Sequence, residues 1–409
     1  MRKYPGSEVP GSETRPIPGA AKRSRVIVAL LAAGSIVAAC SSDGGSADDA
    51  SGTEVPASST TVGSTDSTTL AEPAELLEAA LVAGTMTFTV SEGTVTTNDD
   101  GSSESRDGSF TEEFTSADAR VAGTATETWE SDRWGQSASD GALVQWGTGE
   151  LTNDGGSWEG TYSGIYSTET GDVLYRWWTG GGDYEGLTCF MWITDSTTPT
   201  WEWSGLIYPG TPPLTSEPRA ESMADAATGS EPVTTDAAEA TTTEGPSEST
   251  VIPAPIEYSG ATLVGGTFNF QVSGGSSTLG DEGAIEWRDW VFTQEVTSND
   301  QRTAGVMDGT WQADVWNDRI QVQWGTAALT NDGGSWEGAY SGVFDNEIGD
   351  IRFMWWTGTG DYEGYTLFMW TTADSSARRG SGSPSVVATH QWTGLIYPGT
   401  PPFVETPAE

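Results

Sequence analysis

Hydrophobic residues along this chain fall in short runs, and no stretch of the two aromatic-rich regions carries a helical period of useful length. Residues 320–324, Ile-Gln-Val-Gln-Trp, alternate strictly, the mark of a half-buried antiparallel strand. Between 85 and 207 the pattern predicts eight strands, at 85–90, 109–115, 121–129, 142–148, 158–166, 173–179, 187–193 and 201–207. They are rich in Thr, Val, Ile and aromatic residues, and Gly, Asn, Asp and Pro punctuate them. Eight strands joined by short turns suit an up-and-down barrel, which has no free edge to manage.

The pattern then repeats. LTNDGGSWEG stands at 151–160 and again at 329–338, GDYEG at 182–186 and 360–364, and GLIYPGTPP at 205–213 and 394–402. Trp129, Asp132 and Trp134 return as Trp311, Asp314 and Trp316. The spacing is far too long for a solenoid, so one module has been duplicated. Segments rich in Ser, Thr, Ala and acidic residues precede and separate the copies, and lack the apolar content to offset ordering. The expectation is an all-β chain of two tandem eight-stranded antiparallel β-barrels joined by disordered linkers. Its divisions are a signal at 1–39, a tether at 40–80, barrels at 81–214 and 257–403, and a linker at 215–256.

Composition adds an address. Lys22, Arg23 and Arg25 precede an uncharged apolar run, 26–39, that stops at Cys40. The run is shorter than the ~20 residues a bilayer span needs, and the order of segments is that of a secretory signal. Val37-Ala38-Ala39-Cys40 resembles the lipobox of bacterial lipoprotein precursors, which implies lipidation of Cys40 and a chain anchored on the extracellular face of the cell membrane. The chain holds 59 Asp and Glu against 17 Lys and Arg, and no lysine follows Cys40. Such a surface repels nucleic-acid phosphates and anionic headgroups, which leaves the lipid anchor as the only expected membrane contact and excludes nucleic acid as a partner.

The motifs ADARVAGT (117–124), NDGGSWEG, GDYEG and GLIYPGTPP are together similar to bacterial secreted proteins assigned to the allene oxide cyclase-like barrels. That group shares its eight-stranded barrel with plant allene oxide cyclases and dirigent proteins. The resemblance implies an antiparallel barrel with a central cavity. The plant enzymes' catalytic residues map onto no motif of this chain, so none is carried over.

Candidate chemistry is sparse. His390 is the sole histidine and aligns with Trp201 of the other copy, so no repeated site depends on it. Cys189 aligns with Leu367 and reads as a small apolar core residue. No catalytic residue, metal site or cofactor is expected. Tryptophan is abundant, with 19 residues all lying between Trp129 and Trp392. Most must be core, while a minority could stack on a ligand.

In a meander the turns after strands two, four and six and the end of strand eight share one end, and there the copies agree best. Asn153-Asp154-Gly155-Gly156 is expected to reach positive φ in a tight turn. Convergence of carboxylates and rings at this mouth reads either as tight-turn constraint or as a binding site. The candidate ligand-binding residues are Glu159, Trp177, Trp178, Asp183 and Glu185, repeated as Glu337, Trp355, Trp356, Asp361 and Glu363. Three functions follow: a non-catalytic module binding a small apolar or hydroxylated ligand, an isomerase or cyclase using paired carboxylates, and a structural or adhesive surface protein.

Overall fold

Alternation of buried and exposed residues builds the strands. Along 110–115 the order is Phe, Thr, Glu, Glu, Phe, Thr, with Phe110, Glu112 and Phe114 buried and Thr111, Glu113 and Thr115 exposed. The computed structural model describes residues 79–91, 93–135, 141–218, 252–280, 283–316, 319–345, 348–372 and 388–407. All lie in one compact unit, Leu70–Glu409. The expected signal, the tether with Cys40 and most of the linker lie outside these residues.

The first copy contains β1 (Ala80–Ser91), β2 (Thr94–Thr97), β3 (Ser103–Ser116), β4 (Gly123–Trp134), β5 (Ala142–Asn153), β6 (Gly156–Ser167), β7 (Gly171–Gly182), β8 (Leu187–Asp195), β9 (Trp201–Pro209) and β10 (Leu214–Pro218). The second contains β11 (Ile256–Tyr258), β12 (Ala261–Phe270), β13 (Val272–Leu279), β14 (Ile285–Ser298), β15 (Gly305–Trp316), β16 (Ile320–Asn331), β17 (Gly334–Asp345), β18 (Gly349–Gly360), β19 (Tyr365–Thr372), β20 (Ala388–Pro398) and β21 (Phe403–Pro407).

Each copy is an antiparallel meander closed on itself. β1 pairs with both β3 and β9, and β12 with both β14 and β20, so eight strands form each ring. All eight predicted strands of the first copy are present and most run longer. The third starts at Gly123, because Ala119–Val121 form a 3-10 turn capped by the Asp118 side chain. β2 and β13 extend the rings outward from β3 and β14, where register shifts coincide with Asp107 and Asp289 at φ 59° and 58°. A residue in the left-handed region at a bulge re-aims the strand, and Asp tolerates it.

Two layers of core result. Inside the first barrel lie Phe114, Trp158, Trp178 and Trp203, with Phe110, Trp129, Tyr162 and Leu174 further along. Trp311, Trp336, Trp356 and Trp392 fill the second. A third core lies outside both rings, where β5 to β9 of one barrel face β16 to β20 of the other. Trp134 packs on Tyr397 at 4.9 Å, and its counterpart Trp316 packs on Tyr208 at 5.2 Å. The equivalent residues Tyr175 and Phe353 stack at 4.4 Å. β10 and β21, equivalent segments, pair antiparallel with Leu214 opposite Pro407 and Pro218 opposite Phe403. Exchange of equivalent partners across one axis is the geometry of a two-fold interface. Ordered chain therefore reaches past the expected end of the first barrel.

Candidate functional site

The turns expected to share one end do so, and a polar lock joins them. Asn153 Nδ2 donates to the carbonyls of Ala119, Arg120 and Ala122 at 3.1, 2.9 and 3.0 Å. Its Oδ1 accepts from the Tyr184 hydroxyl at 2.6 Å and from the Gly155 amide at 3.0 Å. Trp158 stacks on Tyr184 at 5.1 Å, and its Nε1 donates to the Arg120 carbonyl at 2.7 Å. The 3-10 turn is held by Asp118, which accepts from the Arg120 amide and guanidinium. The chain after β9 joins through the Gly210 amide, which donates to the Gly186 carbonyl at 2.9 Å. Asn331, Tyr362, Trp336 and Arg302 repeat the lock in the second barrel.

This corrects one expectation about the turn. Neither Gly155 nor Gly156 has positive φ. Gly155 is required because a Cβ there would lie 2.4 Å from the Tyr184 hydroxyl, and Gly156 because a Cβ would lie 2.2 Å from the Gly181 carbonyl oxygen. In the first barrel close approach selects glycine at both places, and in the second the counterpart Gly334 combines close approach with a positive φ of 153°.

The ten candidate residues divide by environment. Glu159, Asp183, Glu185, Glu337, Asp361 and Glu363 are exposed. Trp178 and Trp356 point into the barrels and are fully buried. Trp177 and Trp355 lie on the outer face near Glu159 and Glu337, as the register requires, but the neighbouring barrel covers them. Carboxylates and rings thus share one end of each barrel, and none of the four rings is open to solvent.

Sequence reasoning missed the buried charges. Inside the first barrel the Arg176 Nε donates to Glu127 at 2.9 Å and its terminal nitrogen to Glu112 at 2.9 Å, all three side chains being buried. Burial pushes the Glu112 carboxyl up to about 8, with Glu127 adding to it and Arg176 opposing. Burial therefore favours the protonated form of Glu112. Burial likewise raises Asp172 to about 6, although Gln145 donates to it at 3.0 Å. Burial also pushes the Cys189 thiol up, which removes nucleophilic character.

The second barrel places Met354, Gln294 and Gly309 at the positions of Arg176, Glu112 and Glu127. Its charge sits two residues back along the strand, where Arg352 binds Asp350 and lies 4.0 Å from the Phe270 ring centroid. His390 approaches the same carboxylate at 3.6 Å. Only the outward-to-inward alternation could have exposed these groups, since Glu112 and Arg176 occupy positions otherwise held by apolar residues.

Two buried carboxyls on one arginine, one of them pushed towards its protonated form by burial, resemble the equipment of acid–base chemistry. Here rings pack on both sides: the Arg176 guanidinium lies 5.7, 5.5 and 5.9 Å from Phe114, Tyr162 and Trp178. Among the described residues no group of three or more His, Cys, Asp or Glu side chains is placed to hold a metal ion. No family model, curated protein or solved structure matches the chain.

Proposed function

We propose that the protein is an exported, lipid-anchored, non-catalytic binding protein that works through its outer surface. The observation that carries this reading is the filling of the barrel interiors. Trp158, Trp178 and Trp203 of the first barrel, and Trp311, Trp336 and Trp356 of the second, are among the largest fully buried side chains. A small ligand inside either ring would have to displace them. The isomerase or cyclase alternative uses paired carboxylates at the mouth, where Glu159 and Glu185 are exposed and Trp177 and Trp178 are buried away from them. A substrate deeper in the ring would meet the aromatic residues packed on Arg176, which binds Glu112 and Glu127.

The outer face offers different chemistry. In the first barrel Thr89, Thr111, Thr126, Glu150, Glu159 and Thr179 lie in register across six strands. This row of hydroxyls and carboxylates accepts and donates hydrogen bonds and carries no cation. It suits a neutral, polyhydroxylated polymer better than an anion. The second barrel carries a shorter row, Thr293, Asp308, Ala328, Glu337 and Thr357, with alanine in place of Glu150. Two related faces on one chain give avidity. Export and anchoring rest on the 26–39 run and Cys40, and the likeness to allene oxide cyclase-like barrels rests on motifs alone.

Two measurements test the reading. Co-sedimentation with an insoluble neutral polysaccharide should retain the protein, and Glu159→Gln with Glu337→Gln should weaken retention at least threefold without changing the melting temperature. Failure of the unaltered protein to co-sediment with any neutral polysaccharide would remove the binding claim. Cys40→Ala should move the protein from the membrane to the soluble exported fraction, and unchanged partitioning would remove the anchor.

A further inference from the structure

We propose that the aromatic outer face of each barrel is a self-complementary docking surface, so that this chain is a fused dimer whose first barrel can also bind the first barrel of a second copy. The exchange of partners carries the argument. Trp134 meets Tyr397 as Trp316 meets Tyr208, and Tyr175 meets its own counterpart Phe353. The β10·β21 ribbon is symmetric about Ser216 and Glu405, which oppose each other. A surface that fits its own equivalent fits a second copy of itself.

The two faces differ at apolar positions such as Ala142 against Ile320 and Leu214 against Phe403, but it is one hydroxyl that ranks the possible pairs. Trp355 Nε1 donates to the Tyr175 hydroxyl at 2.7 Å and to Ser163 Oγ at 3.2 Å. On the other side Phe353 has no hydroxyl, and Trp177 Nε1 and Ser341 Oγ are buried without a partner. Two first barrels would place a tyrosine on both sides of the axis and satisfy both indoles. Two second barrels would place phenylalanine on both and satisfy neither. The hierarchy is therefore first with first, then first with second, then second with second. The covalent linker holds the intermediate pair together by raising its effective concentration.

The test uses the full chain with a protease site inserted at Glu231, cleaved after folding. The halves should elute together. After dilution and re-equilibration, native mass spectrometry should find homodimers of the first barrel at least tenfold more abundant than those of the second, and Tyr175→Phe should abolish the excess. Halves that elute as separate monomers, or homodimers in equal amounts, would overturn the proposal. Should cleavage precipitate the halves, the intact chain decides. Phe353→Tyr should then raise the melting temperature and Tyr175→Phe lower it, and the absence of both shifts overturns the axial arrangement.

Discussion

Asn153 accounts for much of the repeated turn motif by structure alone. Its amide and carbonyl connect three turns, and Tyr184 closes the lock from above. Tyr184→Phe removes one hydrogen bond and is expected to cost about 1 kcal/mol in urea denaturation. Asn153→Ala strands several partners and should cost about 1–3 kcal/mol, the larger effect of the two. Arg176 is a sharper test. Arg176→Met alone leaves Glu112 and Glu127 buried without their cation, and should cost about 3–5 kcal/mol. Adding Glu112→Gln and Glu127→Gly supplies the residues that the second barrel carries at these places, and should recover most of that loss. If Arg176→Met melts like the parent, the cluster is not holding the barrel. The turn motif was legible in the sequence as structure. Its true reason, a tyrosine lying over a glycine, was not, because residues 155 and 184 meet only after two hairpins close.

At the scale of the strand, two kinds of sequence share one fold. β3 and β4 alternate cleanly, whereas β8 reads Leu-Thr-Cys-Phe-Met-Trp and is buried along its whole first two-thirds. An apolar run without alternation marks a strand covered on both faces. That signal was present in Cys-Phe-Met-Trp and Leu-Phe-Met-Trp, and it is why eight strands could be placed while the shared outer core was overlooked. The linker's polarity argued for separate barrels, yet the surfaces on either side of it argue for contact. Trp134→Ala, which empties a pocket against Tyr397, should cost about 3–5 kcal/mol and lower the melting temperature of both barrels together. Calorimetry that shows a single transition displaced downwards would locate the loss at the interface. A small change confined to the first barrel would mean that the outer core contributes little.

For the whole molecule, acidity and burial act in one direction with pH. Glu112 binds its proton more tightly in the folded chain, so stability is fully present below the unfolded carboxyl range and falls as pH rises towards 8. Asp172 adds a loss that is complete near pH 6. At the acid end, Asp118, held low by its hydrogen bonds from Arg120, loses its contribution as it protonates. The excess of 59 acidic over 17 basic residues repels itself more as carboxylates ionise. The melting temperature should therefore peak in mildly acidic buffer and decline from pH 5 to 8, and Glu112→Gln should flatten the upper part of that decline. A profile that is level across this interval in the parent protein would contradict the protonated state of Glu112.

The covered aromatic face also has a consequence in time. The first barrel is complete at β9, yet Trp134, Tyr175, Trp177 and Tyr208 find their cover only when the second barrel has been made. At ordinary rates of synthesis the ribosome needs roughly 10–40 seconds to add the remaining residues. Through that interval a newborn half-molecule presents bare indole and phenol rings to its neighbours. Crowded nascent chains would then meet at the very surface that maturation hides, so the yield of correctly paired protein should fall as expression rate rises.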